Sequence, residues 1–149
     1  GEPEAEANSV EQAAERARLL DDVRGFPEGF ATIVGERGIT LSGGQRQRTA
    51  LGRALLVSAP VLVLDDALAS VDNNTAAAIL DSIRTTDGRT IVMISHQLSA
   101  AAACDRILVM EQGRIVQQGH HLDLINTPGV YRRLWERQQA AEQLDAIAG

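Results

Sequence analysis

At 149 residues and 44% hydrophobic composition, the chain is long enough for one core and has little room for a second domain. A net charge of −6 and an isoelectric point near 5.0 argue against nucleic acid as a main partner, because binding a phosphate backbone ordinarily needs a basic face. One cysteine, Cys104, rules out an internal disulfide and a cysteine-based zinc site and suits a reducing compartment.

Residues Gly1 to Asn8 are small and acidic and read as a frayed start. From Ser9, taken as an N-cap, Val10, Ala13, Ala14, Ala17 and Leu20 recur at helical spacing and predict one amphipathic helix. Gly25, Pro27 and Gly29 end it. Thr32 to Gly38 is a loop with two glycines, followed by Leu41-Ser42-Gly43-Gly44-Gln45 and a helix from about Gln45 to Ser58. After Pro60 a short apolar strand, Val61 to Leu64, ends in Asp65 and Asp66. Asn73 to Arg84 reads as a helix capped by Asp72 or Asn73, with Ala76, Ile79, Leu80 and Ile83 on one face.

A second apolar strand, Thr90 to Ile94, follows an Asp87-Gly88 turn. Two apolar strands joined by a crossover helix predict a parallel sheet covered on both faces. Arg106 to Met110 and Arg114 to Gln118 flank Glu111-Gln112-Gly113 as a hairpin, expected at the edge of that sheet. Tyr131, Leu134, Trp135 and Gln138 then share helical spacing ahead of a polar, alanine-rich tail. The apolar runs, about four to six residues, fall short of the roughly 20 needed to cross a bilayer, and the N-terminus has no signal-peptide pattern. Any membrane association is therefore expected through a partner or a further segment.

The chemistry gathers where strands and helices meet. Ser42-Gly43-Gly44-Gln45 opens a helix, so bare backbone amides and the positive end of the helix dipole suit an anion such as phosphate. A lone Ser-Gly-Gly is more often an ordinary cap with close backbone packing. Asp65 and Asp66 lie at the carboxyl end of a strand, where open parallel sheets place ligands. Adjacent carboxylates there call for a cation such as magnesium, although either alone also reads as a loop cap. His96 follows the second strand and emerges at the same sheet edge, where it can meet a terminal phosphate or an attacking water; alone it reads as structural. His120 and His121 read as a solvated turn, and Cys104 as an inert buried side chain. No Gly-x-x-x-x-Gly-Lys-Ser/Thr phosphate loop is present, and all 14 basic residues are arginine, so the chain is expected to complete a nucleotide site that it does not build alone.

These residues in this order resemble the nucleotide-binding domain of an ATP-binding cassette (ABC) transporter, over Ser9 to about Gln139. Leu41 to Gln45, continuing into Arg46-Gln47-Arg48, is similar to the family's signature motif, and Val61 to Asp65 to its Walker B strand. Ala69-Ser70-Val71-Asp72 resembles the D-loop, Ser95-His96 the switch histidine, and Thr32 to Gly38 the X-loop of exporters. Glu111 to Val116 and Tyr131 to Leu134 look like exporters whose membrane domain precedes the cassette.

The resemblance implies an α/β fold: a P-loop NTPase-like ABC ATPase core, a parallel sheet with flanking helices, plus part of the helical signature subdomain, truncated at the N-terminus. Residues 1–58 would be the helical part with X-loop and signature, and 59–149 the C-terminal part of the RecA-like core. It further implies ATP and Mg2+ as cofactors, a second cassette and an exporter's transmembrane domain as partners, and a place at the cytoplasmic face of the plasma membrane. Ser42, Gly43, Gly44 and Gln45 would hold the γ-phosphate of the partner's ATP. Asp65 would position magnesium, Asp66 would stand at the catalytic glutamate's place, and His96 would contact the γ-phosphate. Asp72 would link the two sites, and Glu36 would couple them to transport.

An aspartate at 66 beside an intact signature is similar to one half of asymmetric heterodimeric exporters. The A-loop aromatic, the phosphate loop and the Q-loop glutamine would lie ahead of Gly1, which makes a fragment the expectation. A non-catalytic interaction module and a soluble ABC ATPase of repair or translation are the competing readings, the latter opposed by the X-loop and the acidic charge.

Overall fold

The computed structural model describes residues 5–35, 38–86 and 88–148. The chain divides into two compact units, Gly1–Ser95 and His96–Gly149. The first contains α1 (Ala7–Arg16), α2 (Leu20–Arg24), a 3-10 turn (Gly29–Ala31), α3 (Gly43–Leu55), β1 (Val61–Asp65), α4 (Asn73–Thr86) and β2 (Thr90–Ile94). The second contains α5 (Leu98–Ala102), β3 (Ile107–Glu111), β4 (Arg114–Gly119), α6 (His121–Asn126) and α7 (Val130–Ala148).

The single helix expected from Ser9 to Leu20 is two. Helix α1 begins at Ala7, so Ser9 lies in its first turn, and Asn8 is helical rather than frayed. The helix stops because Arg18 enters the left-handed region at φ 51°. Its amide donates to Glu15 O at 2.9 Å and that of Leu19 to Ala14 O at 2.8 Å, the paired bonds of a Schellman ending. Glycine usually takes that position; an arginine there hides the break from a reading by composition. Helix α3 packs on α1, and a Cβ added at Gly52 would lie 3.7 Å from Ala13 O and from Ala17 Cβ, an ordinary contact distance.

Strands β1 and β2 run parallel, with Val61 opposite Thr90 and Asp65 opposite Ile94. Leu62 and Leu64 are buried, as are Ala76, Ile79, Leu80 and Ile83 of α4, which places the helix's predicted apolar face in the core. The expected second cover is not supplied by the described residues. Val61, Val63, Val92 and Ile94 are 49%, 60%, 45% and 54% exposed. Strands apolar on both faces have the composition of a sheet buried twice, so this exposed face is an apolar patch among the described residues.

The hairpin forms, with Gln112 at φ 50° and Gly113 at φ 74°, both central turn residues being left-handed as a two-residue turn of matching twist requires. It is a separate two-stranded antiparallel sheet and not the edge of the β1–β2 sheet. Ile107, Val109, Leu124 and Tyr131 form the core of the second unit, with Leu98, Ile125 and Val130 against it.

His121 departs from the solvated turn expected of it. It opens α6, its Nδ1 lies 2.9 Å from the Tyr131 hydroxyl, and its ring meets Trp135 edge-on at 4.5 Å. Burial pushes the Tyr131 phenol above its ordinary 10.0, with Cys104 adding to the shift, and the direction of its hydrogen bond with Nδ1 follows the imidazole tautomer. Cys104 is half-buried rather than buried, with Sγ 3.7 Å from Ala100 O. Gln138 accepts from the Leu98 amide at 3.0 Å and ties α7 to α5. The alanine-rich tail continues α7 to Ala148.

Ile79 is fully buried in α4. Ile79→Ala is expected to lower unfolding free energy by about 2–5 kcal/mol, read as a fall in urea midpoint, whereas Val63→Thr on the open face should move it far less.

Candidate functional site

Ser42 is the N-cap of α3, with extended backbone at φ −63° and ψ 166°. Its Oγ accepts from the Gln45 amide at 3.2 Å, and Gln45 Oε1 accepts from the Ser42 amide at 2.9 Å, a reciprocal capping box. The amides of Gly43 and Gly44 fall in the first helical turn, where no intrahelical acceptor exists, and they project from the positive end of the dipole. Gln45 is occupied at its other end, donating through Nε2 to Asp22 Oδ1 at 2.8 Å. Arg48 donates to Asp22 Oδ2 at 2.7 Å and to the Arg18 carbonyl, which pins α3 to the ending of α1. Arg46 folds back to the Leu41 carbonyl at 2.6 Å and keeps a cation near the helix mouth.

The acids lie at the carboxyl end of β1, and both are exposed. Asp65 is the last strand residue, opposite Ile94. Asp66 takes φ 49°, a left-handed conformation that aspartate tolerates better than most residues. Its amide donates to Ile94 O at 2.9 Å. Among the described residues no group of three or more His, Cys, Asp or Glu could hold a metal. Two adjacent carboxylates nevertheless fit magnesium, which is commonly held by one or two carboxylates, with waters and substrate phosphates completing its shell.

The loop leaving Asp66 returns to the mouth of α3. A Cβ added at Gly44 would stand 2.9 Å from Ser70 O, so Gly44 admits the Ser70 backbone, whereas one at Gly43 would lie 3.5 Å from Ser70 Cβ, an ordinary contact. Ser70 donates its amide to Gln47 Oε1 at 2.7 Å, and Gln47 Nε2 lies 3.5 Å from the Asp66 carbonyl. Asp72 caps α4 by accepting from the Thr75 amide at 2.9 Å. That amide, together with the Thr75 hydroxyl, holds its carboxyl below the ordinary value of 3.8.

The structure thus brings Ser42, Gly43 and Gly44 into one neighbourhood with Ser70. His96 is exposed and is the first residue of the second unit. Glu36, and Asp87 of the expected turn, lie outside the described residues. Asp22 acquires a role that no local motif announces, and Gln47 and Arg48, which continue the signature-like stretch, bond to partners 19 to 30 positions away. A polar cleft of about 460 Å³ bordered by Glu11, Glu15, Arg18, Asp21 and Arg24 contains none of the predicted site residues.

The family model described as ABC transporter matches residues 2–69, which includes the capped glycines and both acids. A bacterial Atm1-family ABC exporter solved with ATP bound superposes with a TM-score of 0.86 and 41% identity, over 92% of this chain and 24% of that one. This chain belongs to the ABC transporter family. It is similar to the Multidrug resistance-like ATP-binding protein MdlA of Escherichia coli, 44% identical over 146 residues, covering 97% of this chain and 25% of that protein. An ATM1-type heavy metal exporter of Novosphingobium aromaticivorans is 42% identical over 141 residues, covering 94% and 23%. The chain spans about a quarter of the length of the curated relatives it matches. It carries ATP-binding domain sequence of the ABC exporter type, with an α/β fold. Among the described residues no helix is long and apolar enough to cross a membrane.

Because the folded Asp72 carboxyl lies below 3.8, its cap contributes fully above that pH and is lost as pH falls through the depressed folded value. Asp72→Asn keeps an acceptor oxygen but does not titrate. The acid limb of a pH–stability profile should flatten in this variant, and a profile superimposable on the wild type would contradict the capping role.

Proposed function

We propose that this chain works as part of an ATP-hydrolysing cassette that powers an ABC exporter, and that it completes a nucleotide site across a seam with a second cassette. The observation that carries this reading is the mouth of α3, where Ser42 caps the helix and Gly43 and Gly44 offer amides to an anion. In this division the bound triphosphate belongs to the partner. Ser42, Gly43 and Gly44 would meet its γ-phosphate. Gln45, already bonded to Ser42 and Asp22, would contribute by holding the cap in shape.

At the chain's own site Asp65 would hold magnesium, which when bound would offset phosphate charge. Asp66 would orient the attacking water, and His96 would contact the terminal phosphate. Asp72 would connect the two sites, and Glu36 would transmit their state to a transmembrane domain at the cytoplasmic face of the plasma membrane. The division into residues 1–58 and 59–149 belongs to the same reading.

Asp66 is one methylene shorter than glutamate, so its carboxylate stands about 1.5 Å farther from a water that glutamate would reach. Hydrogen-bond reach precedes pKa in general-base catalysis. This supports assignment of the chain to the slow half of a heterodimeric exporter, with Walker B at the degenerate site and an intact signature at the competent one.

In the assembled exporter, Asp66→Glu should raise turnover at the slow site by on the order of 100-fold. An unchanged rate would contradict the degenerate-site assignment. A second reading is a non-catalytic interaction module that offers the mouth of α3 to a complete cassette. Under either reading calorimetry should detect no tight magnesium-dependent ATP binding to the isolated chain, and such binding would overturn the shared-site account. Partner-dependent hydrolysis distinguishes the cassette from the module.

A further inference from the structure

Gln47 lies one turn beyond the glycines of α3, and its amide is used at both ends. Oε1 accepts from the Ser70 amide at 2.7 Å, while Nε2 donates to the Asp66 carbonyl at 3.5 Å. These partners bracket the loop that leaves β1. At its start, Asp66 is held in the left-handed region, with its amide donated to Ile94 O at 2.9 Å and its carbonyl accepting from Ala69 at 3.2 Å. At its end, the Ser70 carbonyl is so near α3 that a Cβ on Gly44 would approach to 2.9 Å. A non-glycine residue at positive φ persists where surrounding bonds over-determine it. Gln47 supplies such bonds from the helix that carries the phosphate-facing amides.

We infer that Gln47 is a positioning residue that straps the Asp66–Ser70 loop to α3, so that the glycine amides and the strand-end acid move together. The strap would make the geometry at one nucleotide site depend on occupancy of the other. This coupling rests on the proposed two-site reading; the strap itself does not.

Side-chain chemistry separates the strap from simple packing. Glutamate keeps an acceptor for the Ser70 amide and loses the donor to Asp66, whereas methionine fills similar volume with neither. Hydrogen exchange on the 149-residue chain reads the Ser70 amide directly. Exchange should accelerate at least about tenfold in Gln47→Met and Gln47→Ala, stay slow in Gln47→Glu, and leave the amides of β1 unchanged in all three. In the assembled exporter, Gln47→Met should lower kcat about tenfold with little change in KM for ATP, the split expected when positioning rather than binding is lost.

Wild-type exchange at Ser70 in Gln47→Met overturns the strap, whatever happens at the nucleotide. Faster exchange with unchanged turnover, in an exporter that hydrolyses ATP, overturns the coupling. Failure of the unaltered exporter to hydrolyse ATP overturns the two-site reading instead.

Discussion

The close approach of the Ser70 backbone to the first turn of α3 is the constraint around which the candidate site is organised. It requires a residue without a side chain at Gly44, where a Cβ would stand 2.9 Å from a carbonyl oxygen. The same absence of a side chain exposes the helix-end amides that make the mouth of α3 receptive to an anion. Gly44 therefore serves intramolecular packing and, in the proposed function, ligand approach together. Adding a methyl group there would force the D-loop from the helix even before any nucleotide arrived.

Polar interactions from elsewhere in the first unit hold that mouth in shape. Asp22 accepts from both Gln45 and Arg48, at 2.8 and 2.7 Å, and the Arg48–Asp22 pair is shielded, with side chains 16% and 24% exposed. Partial burial reduces solvent screening, and removal of either partner would leave the other charge poorly compensated. Arg48 also reaches the Arg18 carbonyl at the Schellman ending of α1. The break between α1 and α2 thus bends the chain so that Asp22 reaches the side of α3. A continuous helix through Leu20 would have no reason to deliver that carboxylate there.

Local rules made much of this legible. The Asp72 cap, the β2 boundaries and the glycine turn of the hairpin depend on residues close in sequence, and each formed where its chemistry pointed. The parallel pairing of β1 and β2 followed from two apolar strands around a crossover helix. The break at Arg18 was hidden because a tertiary tie to Arg48 and a Schellman ending support a conformation that composition alone assigns elsewhere. That β3 and β4 pair only with each other among the described residues was hidden too, since hydropathy specifies that a strand wants a neighbour but not which one. The partners of His121, Tyr131 and Trp135, come from the following helix α7, so its immediate sequence neighbours do not announce them. For the site, Ser42, Gly43, Gly44, Asp65 and Asp66 carried local signals, whereas the bonds of Gln47 to the Asp66–Ser70 backbone and of Asp22 to the Gln45 and Arg48 side chains join residues distant in sequence.

Among the described residues the β1–β2 sheet keeps one apolar face exposed, and the proposed phosphate site takes its triphosphate from a second cassette. The most direct measurement is a structure of the chain assembled with a phosphate-loop-bearing cassette and ATP. The account predicts the γ-phosphate about 3 Å from the amides of Gly43 and Gly44, with the remaining phosphates held by the other cassette. A triphosphate enclosed by this chain alone, or a γ-phosphate turned away from α3, would contradict it.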